Sequence, residues 1–509
     1  MKKILVYIMS VILLVSAGCT DFLTEEVFDM KTSNNFFTKE ADLDLAITGV
    51  YSTVADVYRQ KTIEMLLYNS GAFNKRKSTH DFIGGNYTSL HKDIAEVWQY
   101  LYKTIDSTND LLSNTMKMGD AASEEKKNAI MAEARFLRAW SYFMVVRMFT
   151  KGPLKLEPTT SLDNAYVDVS SGEALYDKVI MPDLQYALEF LPDEPINIGR
   201  VTKGAAAAVL AKVYITLAGN DENSPYWVQA RDMAQWVMTN GGYSLAPDFA
   251  DLWLTKNTGE AIFEVQFMRG LETGSAYSKL FNPSGSGWSA KNGGWGRCTC
   301  TQKNYDDFAN LYPGDYRIDV TFTAEYLDVN KNKLTPVYPT DGYNKNSGAW
   351  PYIAKWKDPE APDNAAGDNN FIVIRYADVL LMFAEAENEV NGPTDDAYNA
   401  IDEVLNRARN ANGTTRLEPA NWERTLDKAG FREKVWNERR FELTAEQHLF
   451  FDLVRKGWDK FRTFKEDDNT YGRKIVKHGV FERNMYYPIP SLEIAANDSI
   501  NVSDQNQGY

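Results

Sequence analysis

The sequence predicts a mainly α-helical fold, in which helix pairs form a tetratricopeptide-like scaffold that carries one large, irregular, loop-rich insert with short strands. Three observations predict it. Apolar residues recur with helical periodicity in paired segments joined by short turns. This periodicity stops between about residues 252 and 370. No Pro/Gly-rich hinge separates the parts, which indicates one compact body, although 509 residues would ordinarily form two or more domains.

Helix pairs are predicted at three places along the chain. The segment "AEARFLRAWSYFMVVRMF" places Leu137, Trp140 and Met148 on one apolar stripe, with Arg135 and Arg138 opposite, and a second helix follows over 175–191. The segment "GAAAAVLAKVYITLAG" ends in a glycine suited to a helix C-terminus and is followed by "YWVQARDMAQWVMTNGG". The third pair is "YADVLLMFAEAENEV" and "DDAYNAIDEVLNRARNANG", with a Gly-Pro turn between them. Each pair buries one face only against its neighbours.

The predicted division of the chain has three parts. Residues 1–18 form a signal peptide, 19–255 an N-terminal helical region, and 256–509 a C-terminal region. The insert, 256–370, belongs to the last part and contains one probable strand, Ile262 to Phe267, in "GEAIFEVQF". A loop region of this length inside a compact body is usually functional.

Composition excludes several classes of protein. A net charge of −15 gives no electrostatic footprint for nucleic acid. Hydrophobic residues make up 44% of the chain, as in a globular protein and not a disordered one. Three cysteines are too few for a disulfide framework.

The N-terminus predicts export and a lipid anchor. Lys2 and Lys3 precede an apolar run, Ile4 to Val15, that is too short to span a bilayer but suits a signal peptide. Small residues before Cys19 resemble a bacterial lipobox, in which the cysteine thiol is acylated and becomes the new N-terminus. The alternative is an ordinary signal peptide that ends at a cysteine by chance.

Seven segments in order give the chain a family resemblance. They are "CTDFLTEE", "EVWQYLYKTIDSTNDLL", "EARFLRAWSYFMVVRMFTKGPL", "GGWG" with "TQKNYDDFANLYPGDYRIDVTF", "IRYADVLLMFAEAENEV", "VWNERRFELTAEQHLFFDLVRKG" and "YYPIPSLEIAANDSINVSDQNQGY". Together they resemble the SusD/RagB outer-membrane lipoproteins of the Bacteroidota.

The resemblance implies a role. It implies a surface-exposed, non-catalytic lipoprotein of the outer membrane that binds an oligosaccharide or polysaccharide and passes it to a SusC-like TonB-dependent transporter. Two alternatives stay open: a RagB-like peptide-binding lipoprotein, and a lipid-anchored glycoside hydrolase. A helical scaffold whose only partner is the transporter is a further possibility.

Aromatic residues on irregular, polar backbone are the candidate ligand-binding residues. Sugars offer apolar C–H faces ringed by hydroxyl groups, so a binder needs flat aromatic surfaces beside amide, guanidinium or carboxylate groups. In the insert the candidates are Trp288, Trp295, Tyr277, Tyr343, Trp350 and Tyr352. A second polar-aromatic segment, "YNSGAFNKRKSTHDFIGGNY", offers Asn74, Arg76, Asn86 and Tyr87 on what we expect to be the same face. The tryptophans at 98, 140 and 436 lie on helical stripes and are assigned to packing.

Catalytic and metal sites have weak support in the sequence. Glu438, Glu442 and Glu446 share helical spacing and resemble paired catalytic carboxylates. Their neighbouring arginines instead favour an ion-pair network between packed helices. Cys298 and Cys300 form a strained disulfide, a free pair, or half of a metal site, of which we favour the free pair. We expect no cofactor; a structural calcium ion held by loop carboxylates stays open.

Overall fold

A computed structural model describes residues 36–76, 80–270, 273–289, 294–323, 325–338, 350–361, 366–467 and 479–509. The predicted signal peptide and Cys19 lie outside the described residues, and so does Tyr343. Within the described residues, no helix combines the length and the apolar character that a membrane span requires.

Most of the regular structure is helical, as predicted. In chain order the helices are α1 (Glu40–Tyr58), α2 (Lys61–Ser70), α3 (Asp81–Gly84), α4 (Lys92–Lys117), α5 (Glu124–Phe149), α6 (Gly172–Leu175), α7 (Met181–Phe190), α8 (Lys203–Ala218), α9 (Tyr226–Asn240), α10 (Asp251–Leu254), α11 (Tyr277–Phe281), α12 (Gln302–Leu311), α13 (Tyr316–Thr321), α14 (Tyr376–Asn391), α15 (Asp395–Arg409), α16 (Lys428–Glu442), α17 (His448–Arg455), α18 (Trp458–Asp467) and α19 (Ser491–Ala496). A π-helical turn, Tyr176–Ile180, separates α6 from α7.

The strands are short and form small antiparallel sheets. In chain order they are β1 (Phe73–Lys75), β2 (Lys151–Pro153), β3 (Val169–Ser171), β4 (Ala261–Val265), β5 (Cys298–Cys300), β6 (Phe322–Thr323), β7 (Glu325–Asp328), β8 (Lys333–Pro336), β9 (Tyr352–Ile353), β10 (Phe371–Arg375), β11 (Asn410–Ala411) and β12 (Thr414–Thr415). The largest sheet has the order β1-β5-β9-β6. β4 pairs with β10, so the two ends of the insert lie side by side.

The helices form one continuous array. Contacts run from α1 to α4, then through α5, α7, α8 and α9 to α14, which packs against α15 and α16. The insert therefore leaves the array after α9, and the chain rejoins it at α14. This arrangement confirms the predicted scaffold of helix pairs with an inserted irregular region.

Helix α8 illustrates how sequence sets this packing. Thr202 begins the helix, because its hydroxyl oxygen accepts a hydrogen bond from the backbone N–H of Ala205. The four alanines from Ala205 to Ala208 are fully buried and allow close contact with α7 and α9. Gly219, in the left-handed region at φ +62°, ends the helix where its N–H donates to the carbonyl of Ile215.

One detail of the predicted helices is wrong. Helix α5 was expected to present Arg138 on a polar face, but this side chain is buried and pairs with the carboxylate of Asp183 on α7 at 2.7 Å. Helix α5 lies inside the array and is covered by neighbours on several sides, so buried polar residues such as Arg138 and Glu133 are held by ion pairs, Glu133 with Arg200 at 3.0 Å.

Candidate functional site

The largest sheet brings two distant segments together. Strand β1, from the second polar-aromatic segment, pairs with β5 of the insert, so that Asn74 lies opposite Thr299. Strand β5 in turn pairs with β9, and Thr299 lies opposite Tyr352. The sheet therefore places the part of that segment that contains Asn74 and Arg76 beside the insert.

Trp288 is half-buried, and its backbone is firmly held. Its carbonyl accepts hydrogen bonds from the backbone N–H of Asp358 at 2.8 Å and from the amide Nδ2 of Asn282 at 3.0 Å. The ammonium Nζ of Lys357, an exposed residue, lies 4.2 Å from the centroid of the Trp288 ring. A cation at this distance over an indole face is a favourable contact. The side chain is thus presented on fixed backbone beside a charged donor.

Trp288 borders a small aromatic cluster that is separate from the main core. Its buried members are Tyr326, Val337, Tyr338 and Tyr352, with Tyr305 and Trp288 packed at the edge. The ring centroids of Trp288 and Tyr326 are 6.4 Å apart, in an edge-to-face arrangement. Tyr326 was not among the predicted residues, because β7 reads Glu-Tyr-Leu-Asp, in which polar and apolar residues do not alternate, although the structure buries Tyr326 and exposes its two neighbours.

Trp295 is the more exposed of the two tryptophans, at 39% of its surface. The guanidinium carbon of Arg297 lies 4.5 Å from its ring centroid, and the Nζ of Lys279 lies 5.6 Å away. Its backbone N–H donates to the carbonyl of Lys279 at 2.7 Å. Trp295 therefore combines an accessible ring with two adjacent cations.

The glycines around Trp295 are required by close packing. A Cβ atom at Gly294 would lie 2.2 Å from the carbonyl oxygen of Asn282, and one at Gly296 would lie 2.5 Å from the ring of Tyr352. Gly296 also has a φ of +51°, which side chains other than glycine adopt with strain. The "GGWG" sequence lets the backbone on either side of Trp295 lie against Asn282 and against the ring of Tyr352, a member of the aromatic cluster.

Arg76 connects the two tryptophan neighbourhoods. Its guanidinium carbon lies 5.4 Å from the ring centroid of Tyr352, and its backbone N–H donates to the carbonyl of Arg297 at 2.9 Å. Burial raises the pKa of Tyr352 to about 12, with Arg76 opposing the shift, so the phenol stays protonated. We call Trp288, Trp295, Arg76, Arg297 and Lys357 the tryptophan surface.

Five other candidate residues are buried and present no ring or amide face to solvent. Tyr277 is fully buried, and its hydroxyl donates to the carbonyl of Tyr58. Trp350 and Tyr352 are 6% and 4% exposed, and Asn74 is held in the β1–β5 ladder. Tyr87 packs against the ring of Tyr487, near the C-terminus. The expectation that these side chains lie on the surface is wrong, since short strands of the insert pair with each other and with β1, and the C-terminal segment covers Tyr87.

The remaining residues singled out in the sequence have different surroundings. Asn86 is exposed but follows α3, away from the β1–β5 pairing, next to Tyr87 and the C-terminal segment. Cys298 and Cys300 are buried and form no disulfide with each other, as expected. Among the residues that the structure describes, no three His, Cys, Asp or Glu side chains form a group that suits a metal ion. The packing tryptophans at 98, 140 and 436 are buried, which confirms their assignment.

The paired glutamates lie in a buried ion-pair network, as the arginine-rich sequence indicated. Glu438 and Glu442 both contact Arg317, at 2.5 and 2.7 Å, and all three side chains are fully buried. Glu442 also pairs with Arg375 and with Arg407. Burial raises the pKa of Glu438, whereas the three arginines outweigh burial and lower the pKa of Glu442. These carboxylates join packed elements and do not face a cleft.

A cleft of about 420 Å³ adjoins the tryptophan surface at Lys357. Three of the carboxylates among its described lining residues are in ion pairs: Asp358 and Glu360 with Arg269, at 3.0 and 2.7 Å, and Asp368 with Lys256 at 2.9 Å. The fourth, Glu264, accepts a hydrogen bond from the side-chain amide of Asn370 at 2.7 Å, and burial raises its pKa. Trp253 and Trp356 form part of its apolar wall. The cleft offers charged and hydroxyl-binding groups next to Trp288.

Comparison with known proteins identifies the family. Residues 21–215 match a family model described as SusD-like, "Starch-binding associating with outer membrane", and residues 259–509 match the SusD family model SusD_RagB. SusD-like protein P25 of Formosa agariphila is 29% identical, over 100% of this chain and 99% of its own.

Solved structures show the same fold. A SusD superfamily protein from Parabacteroides distasonis is 26% identical with a TM-score of 0.76, over 94% of this chain and all of the other. A laminarin-binding SusD-like protein is 23% identical with a TM-score of 0.72, over 93% of this chain and all of the other. With two SusD models that together match most of its length, the chain belongs to the SusD family.

Proposed function

We propose that this protein binds an oligosaccharide or polysaccharide at the tryptophan surface. The observation that carries the proposal is the geometry of Trp288 and Trp295, which lie on fixed backbone beside one aromatic cluster. Each ring has cationic donors within 6 Å. Partly exposed tryptophans of this kind stack on the apolar faces of sugar rings, while adjacent guanidinium and ammonium groups donate hydrogen bonds to hydroxyl groups.

Family membership supports a carbohydrate ligand. One structural relative is named as laminarin-binding, and the model that matches residues 21–215 is described as starch-binding. A peptide ligand is the alternative that the family resemblance leaves open, and it would need a larger and less aromatic site.

The proposal includes a cellular role. The protein is anchored to the outer membrane through an acylated Cys19, exposed at the cell surface, and delivers its ligand to a SusC-like TonB-dependent transporter. It performs no chemical step on the glycan, because Glu438 and Glu442 of α16 are held in buried ion pairs with arginines. Binding requires no cofactor.

Affinity electrophoresis tests the ligand class. The soluble form, beginning at Thr20, is run through gels that contain single polysaccharides of plant, host and microbial origin, with and without EDTA. We expect one class of glycan to retard the protein equally in both conditions, and thin-layer chromatography to detect no product sugars. Retardation by no glycan would contradict the proposal, and release of product sugars would restore the glycoside hydrolase alternative.

A further inference from the structure

The helical scaffold contains a second cavity that none of the described residues of the insert lines. It has a volume of about 330 Å³ and lies between α5, the π-helical turn, α8, α17 and the C-terminal segment. The residues that matter most in its lining are Arg147, Thr150, Tyr176, Thr216, Phe451 and Tyr486. This volume is within the range of small-molecule sites. We call it the Arg147 cavity.

Arg147 is a buried cation that the described residues leave without an ion pair. It is 8% exposed, and its guanidinium carbon lies 4.0 Å from the ring centroid of Phe143 and 3.9 Å from that of Phe451. Its Nη2 contacts the sulfur of Met144 at 2.9 Å, and its Nε has no hydrogen-bond partner among the described atoms. Burial lowers its pKa to about 10, so the group remains charged at neutral pH.

The charged side chains next to Arg147 also include more basic groups than carboxylates. The basic side chains of this cluster are Arg147, Lys212, Arg439, Arg455 and Lys456, and its carboxylates are Asp378, Glu385 and Asp452. Burial lowers the pKa of both lysines, and each is held in an ion pair with a carboxylate. His448 adds no charge, since burial and Lys212 lower its pKa to about 3. The nearby Glu446 is paired with Arg375 and Lys355. Five basic side chains thus face three carboxylates.

Such an imbalance is costly in a protein interior. A buried charge without a partner carries a desolvation penalty of several kcal/mol. An anion in the cavity would remove that penalty, because the planar guanidinium matches the geometry of a carboxylate in a bidentate pair. The π-helical turn that begins at Tyr176 is a second indication, since π-turns occur frequently at functional sites.

We propose that the Arg147 cavity binds a small organic carboxylate. The carboxylate oxygens accept hydrogen bonds from the Arg147 guanidinium, and the body of the ligand lies against Tyr176, Phe451 and Tyr486. This site is separate from the tryptophan surface, and the proposal does not depend on glycan binding.

Thermal denaturation of the soluble form tests the site, with acetate, benzoate and glucuronate as probes and chloride at the same ionic strength as reference. A ligand that binds only the native state raises the midpoint as its concentration rises. We expect at least one of the three carboxylates to raise the wild-type midpoint, and Arg147→Met to abolish that response. Arg135→Met, on the same helix but in an ion pair with Asp183, is the matched control and should respond like wild type.

In chloride alone, Arg147→Met should be at least as stable as wild type, because an apolar chain of similar length replaces an unpaired buried charge. The proposal is overturned if none of the three carboxylates shifts the wild-type midpoint beyond chloride, or if Arg147→Met responds as wild type does. If Arg147→Met does not fold, Arg147→Lys decides: loss of the bidentate geometry should weaken the carboxylate response, and an undiminished response contradicts the proposal.

Discussion

At the scale of single residues, the tryptophan surface depends on glycines as much as on aromatic rings. The backbone at Trp295 can lie against Tyr352 only because residue 296 lacks a Cβ atom. Sequence alone indicated that Trp288 and Trp295 were unusual, since large apolar side chains rarely stand on such polar backbone. The contact between Gly296 and Tyr352 could not be predicted, because these residues are far apart in the sequence and are brought together only by the pairing of β5 with β9.

Gly296→Ala should therefore lower both stability and glycan affinity. We expect the free energy of unfolding to fall by about 2–4 kcal/mol, from left-handed strain plus the clash with the Tyr352 ring. Gly314→Ala is the control, because Gly314 also has a positive φ but open space around its Cα atom. Urea denaturation of both variants measures the difference. An equal fall in the free energy of unfolding of the two variants would show that the close contact with Tyr352 contributes nothing.

At the scale of elements, helix α16 joins the array to the insert through buried charge. Glu442 contacts Arg317 of the insert, Arg375 of β10 and Arg407 of α15. The sequence predicted an ion-pair network here correctly, because acidic and basic residues at helical spacing in a packed segment need partners of opposite charge. It could not identify Arg317, Arg375 and Arg407 as the partners, since they come from three separate elements.

Glu442→Gln should be strongly destabilising, by roughly 3–5 kcal/mol, because it leaves buried arginines without compensation. Glu433→Gln is on the same helix and breaks an exposed pair with Lys460, so it should change stability by less than about 1 kcal/mol. Urea denaturation at neutral pH compares them. A small effect of Glu442→Gln would mean that the network adds little to stability.

Helix α18 carries a buried lysine that predicts a dependence of stability on pH. Lys465 is 3% exposed, its ammonium donates to Asn69, and burial lowers its pKa to about 7. The unfolded chain, with an ordinary lysine pKa near 10.4, binds more protons between these values. Stability from this group should therefore rise from about pH 7 to pH 10 and be lowest below pH 7.

Lys465→Met should raise stability at pH 6 and flatten the rise toward pH 10. Lys460→Met, on the same helix but exposed beside Glu433, should leave the profile as in wild type. Thermal midpoints at pH 6 to 10 measure both variants. A wild-type profile that is preserved in Lys465→Met would show that another group causes the pH dependence.

At the scale of the whole molecule, the helix array supports an insert that leaves after α9 and returns at α14. The array was predictable because helical periodicity is a local signal. The interior of the insert was not, because its short strands pair across long distances: β1 with β5, and β4 with β10. Those pairings bury Tyr277, Trp350 and Tyr352 and leave Trp288 and Trp295 partly accessible.

Isothermal titration calorimetry of Trp288→Ala with the retarding glycan tests the central claim most directly. Loss of the ring face should cost roughly 1–2 kcal/mol of binding free energy, which is about a tenfold fall in affinity. Trp236→Ala, which removes a half-buried tryptophan from α9 outside the insert, should bind as wild type does. An affinity of Trp288→Ala equal to that of wild type would contradict the account and place the ligand elsewhere.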